Sequence, residues 1–168
     1  MMKLYELLKS VDVVETLNEK DIQISGIAYH SGKVKQGDLF VAIKGYKTDG
    51  HKYIPDAIKN GAVAVVVEDL QPSLDIPQFR VKDSRKALAA LSDAYYGHPS
   101  QAMNIIGISA TNGKTSTSFM TNAILERHGF KTGIIGTVMV KYGNYIEPSI
   151  LTTPESLDLQ RYFSQMRN

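Results

Sequence analysis

Residues 110–116 read Ala-Thr-Asn-Gly-Lys-Thr-Ser, between an apolar run, Asn104-Ile105-Ile106-Gly107-Ile108-Ser109, and a stretch from Lys114 to His128 that Gly129 ends. The run predicts a strand and the stretch an amphipathic helix. A glycine turn joining strand to helix directs several backbone N–H groups at one point, and the positive end of the helix dipole strengthens the attraction for an anion. Gly113 lets that anion approach the backbone because it carries no Cβ. Lys114 is then placed to reach the terminal phosphates of a nucleotide as a mobile positive charge. Thr115 offers a hydroxyl to a magnesium ion, and Ser116 adds another beside the phosphates. Segment 110–116 is therefore read as a phosphate-binding loop suited to ATP. The general pattern places a glycine where this chain has Ile108, with Gly107 one position earlier.

Upstream of the loop, strand and helix signals alternate. Leu4, Leu7 and Leu8 share one helical face, and residues 22–29 begin with a strand-like alternation. Lys35-Gln36-Gly37-Asp38 reads as a turn into a buried strand over 39–43. A helix is expected from His51 to Asn60, stopped by Gly61, and Ala62–Val67 is a continuous apolar run of the kind covered on both faces of a sheet. Phe79-Arg80-Val81 is a short strand, and Asp83 or Ser84 caps a helix with Ala87, Leu88, Leu91 and Tyr95 inward. Gly97-His98-Pro99-Ser100 reads as a domain boundary. Beyond the loop come a strand over 132–137, a hairpin turn at 142–145 and a helix opened by Pro154 and Glu155. The fold class is α/β with mainly parallel pairing, in two domains: residues 1–100, then residues 101–168 as the start of a parallel-sheet, P-loop domain.

Bulk properties narrow the partners. With 19 basic and 17 acidic residues the net charge is +2, which gives no reason to expect a nucleic acid. The chain has no cysteine, so disulfides and thiolate metal sites are excluded. No apolar run approaches the ~20 residues needed to span a bilayer, and the N-terminus lacks a secretory core, so a cytoplasmic location is expected. The four histidines, His30, His51, His98 and His128, are widely spread and read as surface or turn residues rather than metal ligands. Asp83 reads as a helix cap rather than a catalytic acid.

Thr111-Asn112-Gly113-Lys114-Thr115 resembles the nucleotide signature of the Mur ligase superfamily. The stretches Val34–Ala42 and Gly45–Ile54, the segment Asp83–Ala89 ending in Tyr96-Gly97-His98-Pro99, and Leu151-Thr152-Thr153-Pro154 resemble the MurE-type branch, in order and spacing. The family usually has Asp-Ser-Arg where this chain reads His30-Ser31-Gly32, and glycine where it has Ala110.

The resemblance implies an ATP-dependent ligase of peptidoglycan synthesis that joins an amino acid to UDP-N-acetylmuramoyl-L-alanyl-D-glutamate through an acyl phosphate. It implies that residues 1–100 bind the UDP substrate and 101–168 bind ATP with magnesium, at Ala110, Thr111, Asn112, Gly113, Lys114, Thr115 and Ser116. Lys114 is the implied catalytic residue and Thr115 the metal ligand. Tyr29, Ser31, Lys47, Thr48 and Asp49 are implied to contact the uridine diphosphate, and Thr152 and Thr153 the sugar-peptide portion. The family's later central-domain ligands and C-terminal amino-acid-binding domain do not appear within residues 1–168, so the chain alone is expected to lack ligase activity. Alternatives are another amide ligase of the superfamily and a non-catalytic module holding a UDP-sugar or ATP. Residues 34–54 argue against the folate-type branch, which lacks the uridine-binding domain.

Overall fold

A computed structural model of the chain describes every residue except Tyr46, Lys47 and Asn168. It divides into two units, Met1–Gly97 and His98–Asn168. The first holds β1 (Met2–Lys3), α1 (Leu4–Leu8), β2 (Glu15–Leu17), β3 (Gln23–Ile24), β4 (Gly26–Ala28), β5 (Asp38–Val41), α2 (Ile54–Lys59), β6 (Ala62–Val67), β7 (Gln78–Arg80) and α3 (Ser84–Tyr95). The second holds α4 (Lys114–Arg127), β8 (Gly133–Ile135), β9 (Met139–Tyr142), β10 (Tyr145–Pro148) and α5 (Ser156–Arg167).

The first unit is built on a five-stranded sheet of order β2-β7-β6-β5-β4, in which β4 to β7 run parallel and β2 pairs antiparallel with β7. Strand β6 occupies the apolar run at 62–67, and both of its alternating side-chain sets are covered, as in a sheet flanked on each face. Phe40, Ala42, Val65 and Val67 pack with Ile54 and Ala57 of α2 in one core. The opposite set, Leu39, Val41, Ala64 and Val66, is equally buried, as are Leu88 and Leu91 of α3 and Leu4 and Leu7 of α1, and α1 packs on α3. The helix expected over 51–60 is shorter: Gly50–Tyr53 forms a 3-10 turn and α2 proper begins at Ile54, with Pro55 in its first turn. Gly61 follows with φ +110°, the left-handed value that ends the helix.

In the second unit α4 spans the helix predicted after the loop. The strand expected over 104–109 does not form; those residues run without assigned secondary structure, and Ile105 and Ile106 are exposed. The sheet here is β10-β9-β8, paired antiparallel throughout, so the described residues provide no parallel neighbour for 104–109. Nor is α4 amphipathic: Met120, Ile124 and Phe119 are exposed and Asn122 is buried. The hairpin at 142–145 joins β9 to β10. Glu147 of β10 accepts hydrogen bonds from the Tyr145 hydroxyl at 2.5 Å and from the Tyr162 hydroxyl of α5. Burial and that carboxylate push the Tyr162 phenol up to about 12.

Candidate functional site

The glycine loop enters α4 through Gly113, which adopts the left-handed conformation (φ +79°, ψ −4°) at the N-cap with no side chain capping the helix. The first helical hydrogen bond runs from Thr117 N to Gly113 O at 2.9 Å. The amides of Lys114, Thr115 and Ser116 therefore lie ahead of the helical ladder, at its positive end. Lys114 folds back over the loop, and its Nζ donates to the Ala110 carbonyl at 2.7 Å. That contact closes a ring of backbone around the helix terminus with the ammonium at its rim. Thr111, Asn112, Thr115 and Ser116 are all exposed around it. The arrangement can hold an anion by amide dipoles and one mobile cation.

The predicted residues of the first unit gather at the carboxyl ends of adjacent parallel strands, where open α/β sheets hold their ligands. Tyr29 and Ser31 follow β4, and Thr48 and Asp49 lie on the loop after β5; Lys47 falls outside the described residues. Ser31 opens a 3-10 turn, and its carbonyl accepts from the Asn60 side chain at 3.0 Å. His30 caps that turn through Nδ1, which accepts from the Gly32 amide at 3.2 Å. An aspartate side chain offers the same kind of acceptor as this Nδ1.

The loop between β5 and α2 is pinned at both ends. Gly45 N donates to Thr48 O at 3.0 Å, and Gly50 N to Ile43 O at 2.9 Å. Asp49 Oδ1 accepts from the His51 amide at 3.0 Å and meets His51 Nδ1 at 2.6 Å. The backbone N–H of His51 is the main cause holding the Asp49 carboxyl below its ordinary value. The Thr48 hydroxyl lies 3.2 Å from the Tyr53 hydroxyl. Lys44 pairs with Asp69 at 2.8 Å, and this hydrogen bond holds the Asp69 carboxyl below its ordinary value.

Of the two alternatives, surface or turn, His51 takes the second: it lies in the 3-10 turn Gly50–Tyr53 and is buried there, 6% exposed. The only sign in the sequence is its place two residues after Asp49. Among the described residues no three His, Asp or Glu side chains are placed to hold a metal ion. Asp83 caps α3, its Oδ1 accepting from Lys86 N at 2.9 Å. In the second unit Thr152 and Thr153 are exposed ahead of α5, and Thr137 Oγ1 donates to Thr152 Oγ1 at 3.3 Å. A cleft of about 170 Å³ beside α1, lined by Lys3, Glu6, Glu19, Lys20, Asp21 and Phe79, includes none of these residues. Its mixed charge marks no ligand.

A parallel sheet with polar loops at its carboxyl ends, followed by a glycine loop opening a helix, defines an α/β protein whose helix terminus has the form of an anion cradle. Residues 23–96 match the family described as Mur ligase family, catalytic domain, and residues 108–168 match the Mur ligase middle domain. The chain belongs to the Mur ligase family. It is 45% identical over 166 residues to the UDP-N-acetylmuramoyl-L-alanyl-D-glutamate--2,6-diaminopimelate ligase of Alkaliphilus metalliredigens, a match covering 98% of this chain and 34% of that protein. The UDP-N-acetylmuramoylalanyl-D-glutamyl-2,6-diaminopimelate--D-alanyl-D-alanyl ligase from Acinetobacter baumannii has the same fold, with TM-score 0.64 at 24% identity over 97% of this chain and 33% of that one. MurF ligase from Thermotoga maritima, solved in complex with ADP, is 32% identical with TM-score 0.50 over 65% of this chain and 25% of its own. The chain thus spans about a third of the length of the curated relatives it matches.

Proposed function

We propose that this chain is the UDP-substrate- and ATP-binding part of an amide ligase of peptidoglycan precursor synthesis, a cytoplasmic enzyme that adds the third amino acid to UDP-N-acetylmuramoyl-L-alanyl-D-glutamate. The observation that carries the reading is the loop at Gly113, with the Lys114 ammonium folded onto the Ala110 carbonyl ahead of α4. A nucleotide phosphate entering that ring replaces the carbonyl as the partner of Lys114, exchanging a neutral acceptor for a charged one. Ala110 keeps its carbonyl, so the loss of the family's glycine leaves the cradle intact.

The substrate's carboxylate is a poor electrophile until one of its oxygens becomes a leaving group. Its oxygen attacks the γ-phosphorus of ATP, ADP departs, and an acyl phosphate results. The amine of the incoming amino acid then attacks the acyl carbon, giving up a proton as phosphate leaves and the amide forms. Lys114 neutralises negative charge on the phosphoryl group during transfer. Thr115 presents a hard hydroxyl oxygen at the start of α4, a donor type that suits magnesium together with nucleotide oxygens and water. With Thr115 as its protein ligand, the ion would supply further charge neutralisation at the phosphates. Tyr29, Ser31, Lys47, Thr48 and Asp49 are assigned to the uridine diphosphate, and Thr152 and Thr153 to the sugar-peptide portion.

Calorimetric titration of Lys114→Ala tests the assignment. Loss of a charged hydrogen bond to phosphate should raise the ATP dissociation constant about tenfold or more, with UDP binding unchanged. An equal loss of UDP affinity would mean that the two ligands do not have separate sites.

A further inference from the structure

The His51 imidazole is used at both nitrogens, and neither contact is with a ligand. Nε2 faces the backbone N–H groups of Glu68 at 3.0 Å and Asp69 at 3.3 Å, beyond the end of β6. Two donors aimed at one ring nitrogen require its lone pair, so the ring proton sits on Nδ1. Nδ1–H then donates to Asp49 Oδ1 at 2.6 Å. The ring is buried, so water does not compete for these bonds. The backbone of His51 is anchored as well. Its carbonyl accepts from Gln71 Nε2 at 3.3 Å, and Gln71 is held in turn by Gln78, which is fully buried and bonds both Gln71 N (2.9 Å) and Gln71 O (2.8 Å).

We propose that His51 is a positioning residue that fixes the Thr48–Gly50 segment by joining the Asp49 carboxylate to the amides of Glu68 and Asp69. The inference rests on the assignment of that segment to the uridine diphosphate, and it changes the role of Asp49. With Oδ1 committed to two bonds from His51, Asp49 acts through the imidazole, holding Thr48 and Gly50 beyond the carboxyl end of β5. The Thr48–Gly50 segment is thereby ordered before ligand arrives, so binding does not have to meet the cost of ordering it.

The test uses the 168-residue chain, UDP as ligand, and amide hydrogen exchange without ligand. His51→Phe keeps a ring of similar size and loses all three of its ring hydrogen bonds; it should weaken UDP binding about tenfold and speed exchange at Gly50, Glu68 and Asp69. His51→Gln retains an acceptor near the Nε2 position but no donor in place of Nδ1–H, so it should restore slow exchange at Glu68 and Asp69 without recovering UDP affinity or Gly50 protection, which a simple need for bulk does not predict. Asp49→Ala removes the bond from the His51 amide as well as the one from the ring, so it should lose at least as much as His51→Phe, and the double variant should fall well short of the sum of the two losses, because the ring bond is broken in both. ATP affinity should stay constant throughout. Additive losses would show Asp49 touching ligand independently and overturn the proposal, as would unchanged UDP affinity and Gly50 exchange in His51→Phe. A wild-type chain that takes up no UDP sinks the uridine assignment instead, and the exchange rates still decide whether His51 holds the segment. Should His51→Phe fail to fold, Asp49→Ala cuts the same tie from its more exposed side, and its UDP affinity and Gly50 exchange decide in its place.

Discussion

At Gly113 the chain needs a left-handed backbone, but nothing stands within 4 Å of where a Cβ would be. At Gly61 the backbone is also left-handed, and an added Cβ would lie 2.7 Å from the Gln36 Cα. The first position demands glycine for conformation alone, the second for conformation and space. An L-residue held left-handed costs roughly 1–2 kcal/mol, so Gly113→Ala should lower stability by about that amount, and Gly61→Ala by more. Thermal melting of the two variants checks this ordering; equal melting temperatures would refute the steric part at Gly61. Gly113 and Lys114 are legible in the sequence because loop chemistry is written in consecutive residues. The burial of His51 is not, because its amide partners are 17 and 18 residues away and contribute backbone atoms rather than side chains. His30 reads in the sequence as a departure from the family's acid, whereas its Nδ1 supplies the same kind of acceptor.

Elements are legible in proportion to their length and burial. The apolar run of β6 and the capped start of α3 announce themselves, since a strand covered on both faces is continuously apolar and a helix start needs an acceptor for its free amides. Strands β1 and β2, of two and three residues, carry too little pattern to detect, whereas β3 falls where the alternation from residue 22 begins. The failure at 104–109 has a different cause, because the sequence pattern is present and the pairing is not. The cap of α3 also makes a pH prediction. The Lys86 backbone N–H, and then the Lys86 charge, hold the Asp83 carboxyl below its ordinary value. A group depressed on folding stabilises fully above its unfolded value, ~3.9, and loses that contribution as pH falls through its lower folded value. Asparagine caps nearly as well but does not titrate. Urea unfolding of wild type and Asp83→Asn should therefore show a gap near neutral pH that closes as the solution is acidified below that range. A gap independent of pH would mean that the carboxylate charge adds nothing to the cap. Because the Asp83 side chain is 44% exposed, the effect is small and screened by salt.

Burial is distributed unevenly over the whole molecule. Among the described residues, nearly all of the buried apolar side chains belong to the first unit, with Pro99, Ile134, Val140 and Tyr162 the exceptions. In the second unit Ile106, Met120, Ile124 and Phe130 are each more than half exposed. Burying such a side chain contributes about 1.5–3 kcal/mol, a contribution that α4 lacks and β6 has. Local opening should follow that difference, because opening free energy tracks the apolar contacts that must be broken. Amides along α4, from Ser118 to His128, should exchange at least about a hundredfold faster than those of Val65 and Val66. Equal protection in α4 and β6 would contradict the burial argument. The same measurement bears on the proposed function, because a ligand that binds only the closed loop stabilises it by mass action. With ATP about a hundredfold above its dissociation constant the gain is ~2.7 kcal/mol, or roughly hundredfold slower exchange in α4. Protection should appear in α4 and leave β5 and β6 unchanged, and UDP should not reproduce it. Slowing confined to the first unit would place the nucleotide away from the loop at 110–116 and remove the basis for assigning Lys114 to its phosphates.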